Sequence, residues 1–97
     1  MEFEHDQVRH RFTTTVDGQT CELDYRLAGN IMTITHTGVP EALAGRGIAS
    51  VLTRNALDHA RARGWKVVPA CSYAIAFMKR FPEYNDVLAA PGLTQRR

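Results

Sequence analysis

Between Val8 and Val39 the chain falls into three runs with the mixed apolar and polar residues of a half-buried sheet. Residues 8–16 are rich in Thr, Val and Phe, the residues of a pleated surface. Asp17-Gly18 follows, and residues 20–27 repeat the pattern. Asp-Gly between two such runs predicts a hairpin, because Gly accepts the positive φ of a tight primed turn. Gly29-Asn30 is a second turn signal, and residues 31–39 then read as a third strand. There Met32, Ile34 and His36 share one face, and Ile31, Thr33, Thr35 and Thr37 the other. Three strands joined by tight turns predict an antiparallel meander.

The period then changes. Gly38, Pro40, Gly45 and Gly47 punctuate a loop, after which Ile48, Val51, Leu52 and Ala56 follow helical spacing. Arg54, Asp58, Arg61 and Arg63 fall on the wet side, and Gly64 is placed to end the helix in the left-handed region. Residues 65–71 form a short apolar run. Strand, loop, helix, strand is a crossover unit, so this run is expected parallel to 31–39. A second helix fits 72–80, with Ser72 as N-cap and Ala74, Ile75, Phe77 and Met78 as its apolar side. Phe81-Pro82 stops it, and one short turn is expected near 83–88. The stretch 89–97, with Pro91 and Gly92, reads as a frayed tail. The class is α/β (α+β): a three-stranded antiparallel meander, a helix, a parallel strand and a C-terminal helix.

Size keeps this to one domain. A chain of 97 residues buries only about 60–65% of the surface it exposes unfolded, so each buried group matters. Apolar residues at 44% and charged residues at 23% exclude wholesale disorder. A formal net charge of +2 does not argue for nucleic acid. The basic pairs Arg61/Arg63 with Lys66, and Lys79 with Arg80, are either solvated helix ends or a contact to ligand phosphates. Cys21 and Cys71 match no zinc spacing, so no metal is expected. No secretory h-region and no bilayer-length apolar run is visible. A reducing, cytoplasmic setting without a disulfide is the default expectation.

The chemistry gathers in residues 39–50, between a strand and a helix. The first turn of a helix has free N–H groups and a partial positive charge, and glycines let an anion approach that backbone. Such a loop is either a site for phosphate or pyrophosphate or a plain turn. Two familiar phosphate loops are absent. No Gly-Lys-Ser/Thr triplet occurs, and the third glycine of a dinucleotide fingerprint is replaced by Ser50.

At this point the chain resembles the GNAT superfamily of N-acetyltransferases, and in particular its very short members. That family's coenzyme A loop reads Gln/Arg-x-x-Gly-x-Gly/Ala. The matching stretch is Ala44-Gly45-Arg46-Gly47-Ile48-Ala49, where Ala44 departs from the usual Gln or Arg. The resemblance extends over His36-Thr-Gly-Val-Pro40, Ala56-Leu-Asp58, Val67-Val-Pro-Ala-Cys-Ser-Tyr73 and Pro82-Glu-Tyr84. It implies acetyl-CoA or coenzyme A as co-substrate. The loop from Ala44 to Ala49 would grip the pyrophosphate. Pantetheine would enter a gap where strand 31–39 splays from strand 65–71, its amides paired with backbone near Thr37 and Val39.

Three side chains are candidates for catalysis. Cys71 stands at a helix N-terminus, where a thiol gains thiolate character; it is either an acyl acceptor or acid/base group, or an inert buried thiol. His36 is either a base for the incoming amine or a satisfied core residue. Tyr73 lies where the resemblance places the group that protonates the leaving thiolate; otherwise it is a core-edge aromatic. Arg46 either meets a phosphate or faces solvent, and Trp65 is expected in the core. The expected function is acetyl transfer to an amine, small molecule or protein, by direct attack, with an acetylated Cys71 as the rival route. The alternatives are a non-catalytic coenzyme A or acyl-CoA binder and a plain interaction domain. The family's helices between its first two strands and its two last strands have no counterpart here. The acceptor side is therefore expected to be shallow, open or completed by a partner chain. The oligomeric state is left open.

Overall fold

A computed structural model of the chain describes residues 1–89. Five strands form one sheet in chain order: β1 (Glu4–Asp6), β2 (Arg11–Val16), β3 (Gln19–Ala28), β4 (Ile31–Gly38) and β5 (Lys66–Pro69). The first four are antiparallel, and β5 lies parallel to β4. The Asp17-Gly18 turn between β2 and β3 forms as its sequence requires. Both residues hold positive φ, 52° and 76°, which is the backbone of a primed hairpin turn.

The short strand β1 is an addition to the expected meander, and it shortens β2. Asp6 Oδ1 accepts from the amides of Val8 and Arg9, both at 3.0 Å, and His10 takes a left-handed φ of 57°. These side-chain bonds turn the chain where the Thr/Val pattern predicts continued strand, and Val8 is left exposed.

The helix α1 (Ile48–Arg63) packs across β2, β3, β4 and β5. Its buried stripe is Ile48, Leu52, Thr53, Ala56, Leu57 and Ala60. Val51 points outward and Thr53 inward, the Thr53 hydroxyl being satisfied by donating to the Ala49 carbonyl at 2.8 Å. Against this stripe the sheet presents Phe12, Leu23, Tyr25, Met32, Ile34 and Val67. Gly64, at φ 74°, closes the helix with its amide on the Ala60 and Arg61 carbonyls.

The second helix, α2 (Ser72–Arg80), has the expected bounds, but its cap is Cys71 and not Ser72. Ser72 already has helical backbone, and the Cys71 thiol accepts from the Ala74 amide at 3.4 Å. A 3-10 segment, Pro82–Val87, follows. Ala89 is buried, and its amide donates to the Val67 carbonyl at 2.9 Å, so the expected fray does not begin there. Residues 90–97 lie outside the described residues.

The basic residues near the end of α1 fasten this C-terminal segment. Arg61 donates to both Asp86 oxygens at 2.8 and 2.7 Å and to the Glu83 carbonyl at 3.1 Å. Lys66 Nζ donates to the Asp86 carbonyl at 2.7 Å. Arg54, expected on the wet side, lies over the Phe81 ring at 4.4 Å.

At the other end of the sheet, β1 brings a histidine into an aromatic cluster. The His5 ring stacks on Phe12 at 3.9 Å, and its Nε2 lies 2.6 Å from the Tyr25 hydroxyl. His59 from α1 stands edge-on to His5 at 4.5 Å and to Trp65 at 5.2 Å. Burial, joined by the Arg63 charge, lowers the pKa of both histidines; His5 is lowered further by His59 and His10 and partly held up by Asp6.

Candidate active site

The ladder between β4 and β5 is short. Paired residues run from Ile31↔Lys66 to Ile34↔Pro69 and stop. There the Ile34 carbonyl accepts two amides, Ala70 at 2.9 Å and Cys71 at 3.1 Å. Beyond this shared acceptor β4 continues to Gly38, paired among the described residues with β3 alone, while the strand beside it turns into α2. The strands thus splay, as the family resemblance implies, and leave one edge of β4 without a ladder over residues 35–38.

The same stretch of β4 carries a β-bulge. Asp24 pairs with His36, but the next residue, Tyr25, pairs with Ile34, so Thr35 is the extra residue. One inserted residue exchanges the faces of everything after it. His36, expected beside Met32 and Ile34, lies on the opposite, outer face, level with Asp24 and exposed. Its Nε2 is 3.2 Å from Glu22 Oε2. Thr37 turns inward in its place, level with the buried Leu23, and its hydroxyl lies 3.6 Å from the Cys71 sulfur. Cys71 is half-buried, with its sulfur between Thr37 and the first turn of α2.

Past β4 the chain makes one 3-10 turn, Glu41–Leu43, that drops Leu43 into the core. Gly45 and Gly47 then take positive φ, 84° and 76°. Gly47 is the N-cap of α1, has no side chain to satisfy the first turn, and accepts the first helical bond, from Val51 at 3.2 Å. Among the described residues, no carbonyl or side chain accepts from the amides of Gly45 through Ser50. A Cβ on Gly45 or Gly47 would meet nothing; these glycines serve the backbone turn. The loop borders a cleft of about 310 Å³ lined by Val39, Leu43, Ala44, Gly45, Gly47, Ile48, Ala49, Ser50 and Tyr73. Burial raises the Tyr73 phenol above its ordinary pKa, against a partial lowering by Ser50, Arg54 and Arg80. The phenol is therefore held in its protonated form.

The fold thus gathers Val39, Ala44, Gly45, Gly47, Ile48, Ala49 and Tyr73 around one cleft, and Thr37 with Cys71 at the splay. Two candidates stand apart. His36 is on the outer face, and the Arg46 guanidinium is turned to Asp17 on the β2–β3 turn, 2.9 Å away. Glu22, Ser50 and Asp17 are contributors that the sequence reading does not single out. Only the register of β3 on β4 brings Glu22 to His36, and no local pattern announces that register.

A family model described as GCN5-related N-acetyl-transferase matches residues 11–87. The chain belongs to the GCN5-related N-acetyltransferase family. Protein NATD1 of Gallus gallus is 35% identical over 93 residues, covering 91% of this chain and 84% of the relative. Protein NATD1 of Homo sapiens is 37% identical over 90 residues, covering 88% and 80%. Among solved structures, the NMR solution structure of a GCN5-like protein from Staphylococcus aureus superposes with a TM-score of 0.74. It has 28% sequence identity and covers 92% of this chain and 88% of that one. The GCN5-related fold is therefore present over nearly the whole chain, with one turn between β2 and β3. Among the described residues no helix is long and apolar enough to cross a membrane.

Proposed function

We propose that this GCN5-related domain binds acetyl-CoA at the cleft beneath Gly45–Ser50 and transfers the acetyl group to an amine. The observation that carries the reading is the unbroken run of partnerless amides from Gly45 to Ser50 at the N-terminus of α1. A run of unpaired N–H groups in a loop beside a cleft suits a diphosphate, and the helix dipole adds to them. The loop needs no Gln or Arg at Ala44 for this, since the donors are main-chain.

Bound there, acetyl-CoA supplies a thioester open to attack by an amine. The free edge of β4 past Ile34 would pair with an extended, amide-bearing chain as an added strand does. Backbone N–H groups near Val39 would stabilise the developing oxyanion. On the outer face His36 would take the proton from the amine. On the cleft side Tyr73, held protonated, would return one to the departing thiolate. Cys71 lies beside the splay as a second acid, or as acyl acceptor in the rival route. The amine would enter from the open face of the sheet. Titration of labelled protein with coenzyme A tests the reading: the largest amide shifts are expected at Gly45–Ser50. Unmoved signals there would overturn it.

The second reading, a binder without chemistry, draws on the two-residue β2–β3 turn, which raises no wall on the acceptor side. Release of coenzyme A thiol across an amine panel separates the two.

A further inference from the structure

We infer that Glu22 is the positioning residue for His36, and that Gly38 has no side chain because this pair occupies its space. The inference rests on the transferase reading above, in which His36 is the base.

Three strand positions converge. Glu22 on β3 is paired with Gly38 on β4, and His36 stands two residues before Gly38 on the same outer face. A Cβ built on Gly38 would lie 2.9 Å from His36 Nε2 and 3.0 Å from Glu22 Oε2. The imidazole–carboxylate contact therefore spans the place where any other residue would project. Gly38 does not have the left-handed φ that favours glycine, so the turn chemistry that accounts for Gly45 and Gly47 does not account for it.

The neighbouring acid is already engaged. Asp24 accepts from Arg11 Nε at 2.6 Å and from Arg11 Nη2 at 3.1 Å. Among the described residues, His36 is the side-chain partner of Glu22. With Nε2–H donating to the Glu22 carboxylate, the lone pair of a neutral His36 lies on Nδ1. An orienting acid that fixes the tautomer is what a histidine base needs in order to accept a proton at a defined atom. The bulge at Thr35 makes the arrangement possible. It places His36 on the outer face while the adjacent Thr37 points to Cys71, so proton acceptor and thiol flank the splay from opposite faces.

Two measurements test this. Long-range proton–nitrogen spectra of the imidazoles, recorded in alkaline buffer without any ligand, are expected to show His36 mainly as the Nε2–H form. Glu22→Ala should mix the tautomers. Gly38→Ala, which keeps the acid but intrudes on the contact, should do the same and guards against a Glu22→Ala variant that folds poorly. Where an amine of the panel turns over, Glu22→Ala should lower kcat about ten- to a hundredfold with KM for acetyl-CoA unchanged, and Glu22→Asp should recover part of the loss. A tautomer unmoved in both variants, or undiminished turnover in Glu22→Ala, overturns the inference. Failure of the wild-type protein to bind acetyl-CoA strikes the transferase reading instead, since the spectra report on the pair without the cofactor.

Discussion

Cys71 combines a structural role with a proposed chemical one in a single sulfur atom. It caps α2 through the Ala74 amide and lies 3.6 Å from the Thr37 hydroxyl at the splay. The two roles separate by substitution. Cys71→Ala removes the cap and is expected to lower stability by about 1 kcal/mol, the usual cost of a lost N-cap acceptor. Cys71→Ser keeps an acceptor and should melt near the wild type. Direct transfer predicts that intact protein incubated with acetyl-CoA gains no covalent acetyl mass. A stable adduct that disappears in Cys71→Ser would instead establish the acyl-enzyme route.

Between elements, one contact joins the proposed phosphate loop to a hairpin. Arg46 is held by Asp17 on the β2–β3 turn, with both side chains more than half exposed. Exposed pairs of this kind are weak, and a phosphate is a stronger partner for a guanidinium. Asp17→Asn keeps a residue that tolerates the left-handed turn and frees Arg46. Its coenzyme A affinity, read by calorimetry, is expected to rise about two- to fivefold. An unchanged affinity would mean that Arg46 has no part in binding.

The same scale shows what the sequence could and could not reveal. The hairpin at Asp17-Gly18, the helix ending at Gly64, the parallel strand and the bounds of α2 were legible because each is written in local period or turn chemistry. The glycine-punctuated loop was legible for the same reason. The face of His36 was not, because a bulge is settled by two strands together and a single strand carries no mark of it. Strand β1 has no signature of its own, because three residues are too few to show alternation. Ser72 was the natural cap by residue type, yet backbone geometry gave that place to Cys71. Arg61 and Lys66 read as solvated or phosphate-seeking, and the fold instead spends them on Asp86 and the carbonyls beside it.

For the molecule as a whole, the His5–His59 cluster ties β1, β2, β3, α1 and Trp65 into one end of the fold. Both rings have pKa values lowered below the unfolded value of 6.5, chiefly by burial. The unfolded chain therefore binds more protons than the folded one in the window below that value. The part of the stability that depends on these two neutral rings is fully present above about pH 6.5 and is lost as pH falls toward their folded pKa values. Thermal melts are expected to show a lower Tm at pH 5 than at pH 7.5, and His59→Gln should flatten that slope. A slope unchanged in His59→Gln would assign the acid sensitivity to other groups.

One carbonyl has a reach beyond its own two bonds. Because Ile34 O takes the amides of both Ala70 and Cys71, the seam between the parallel strands is locked at a fixed depth by main chain alone. Any linear molecule sliding into that wedge meets a stop which no side-chain exchange can move. On the proposed reading its reactive end would be measured off against a backbone ruler, whatever residue stands at position 44.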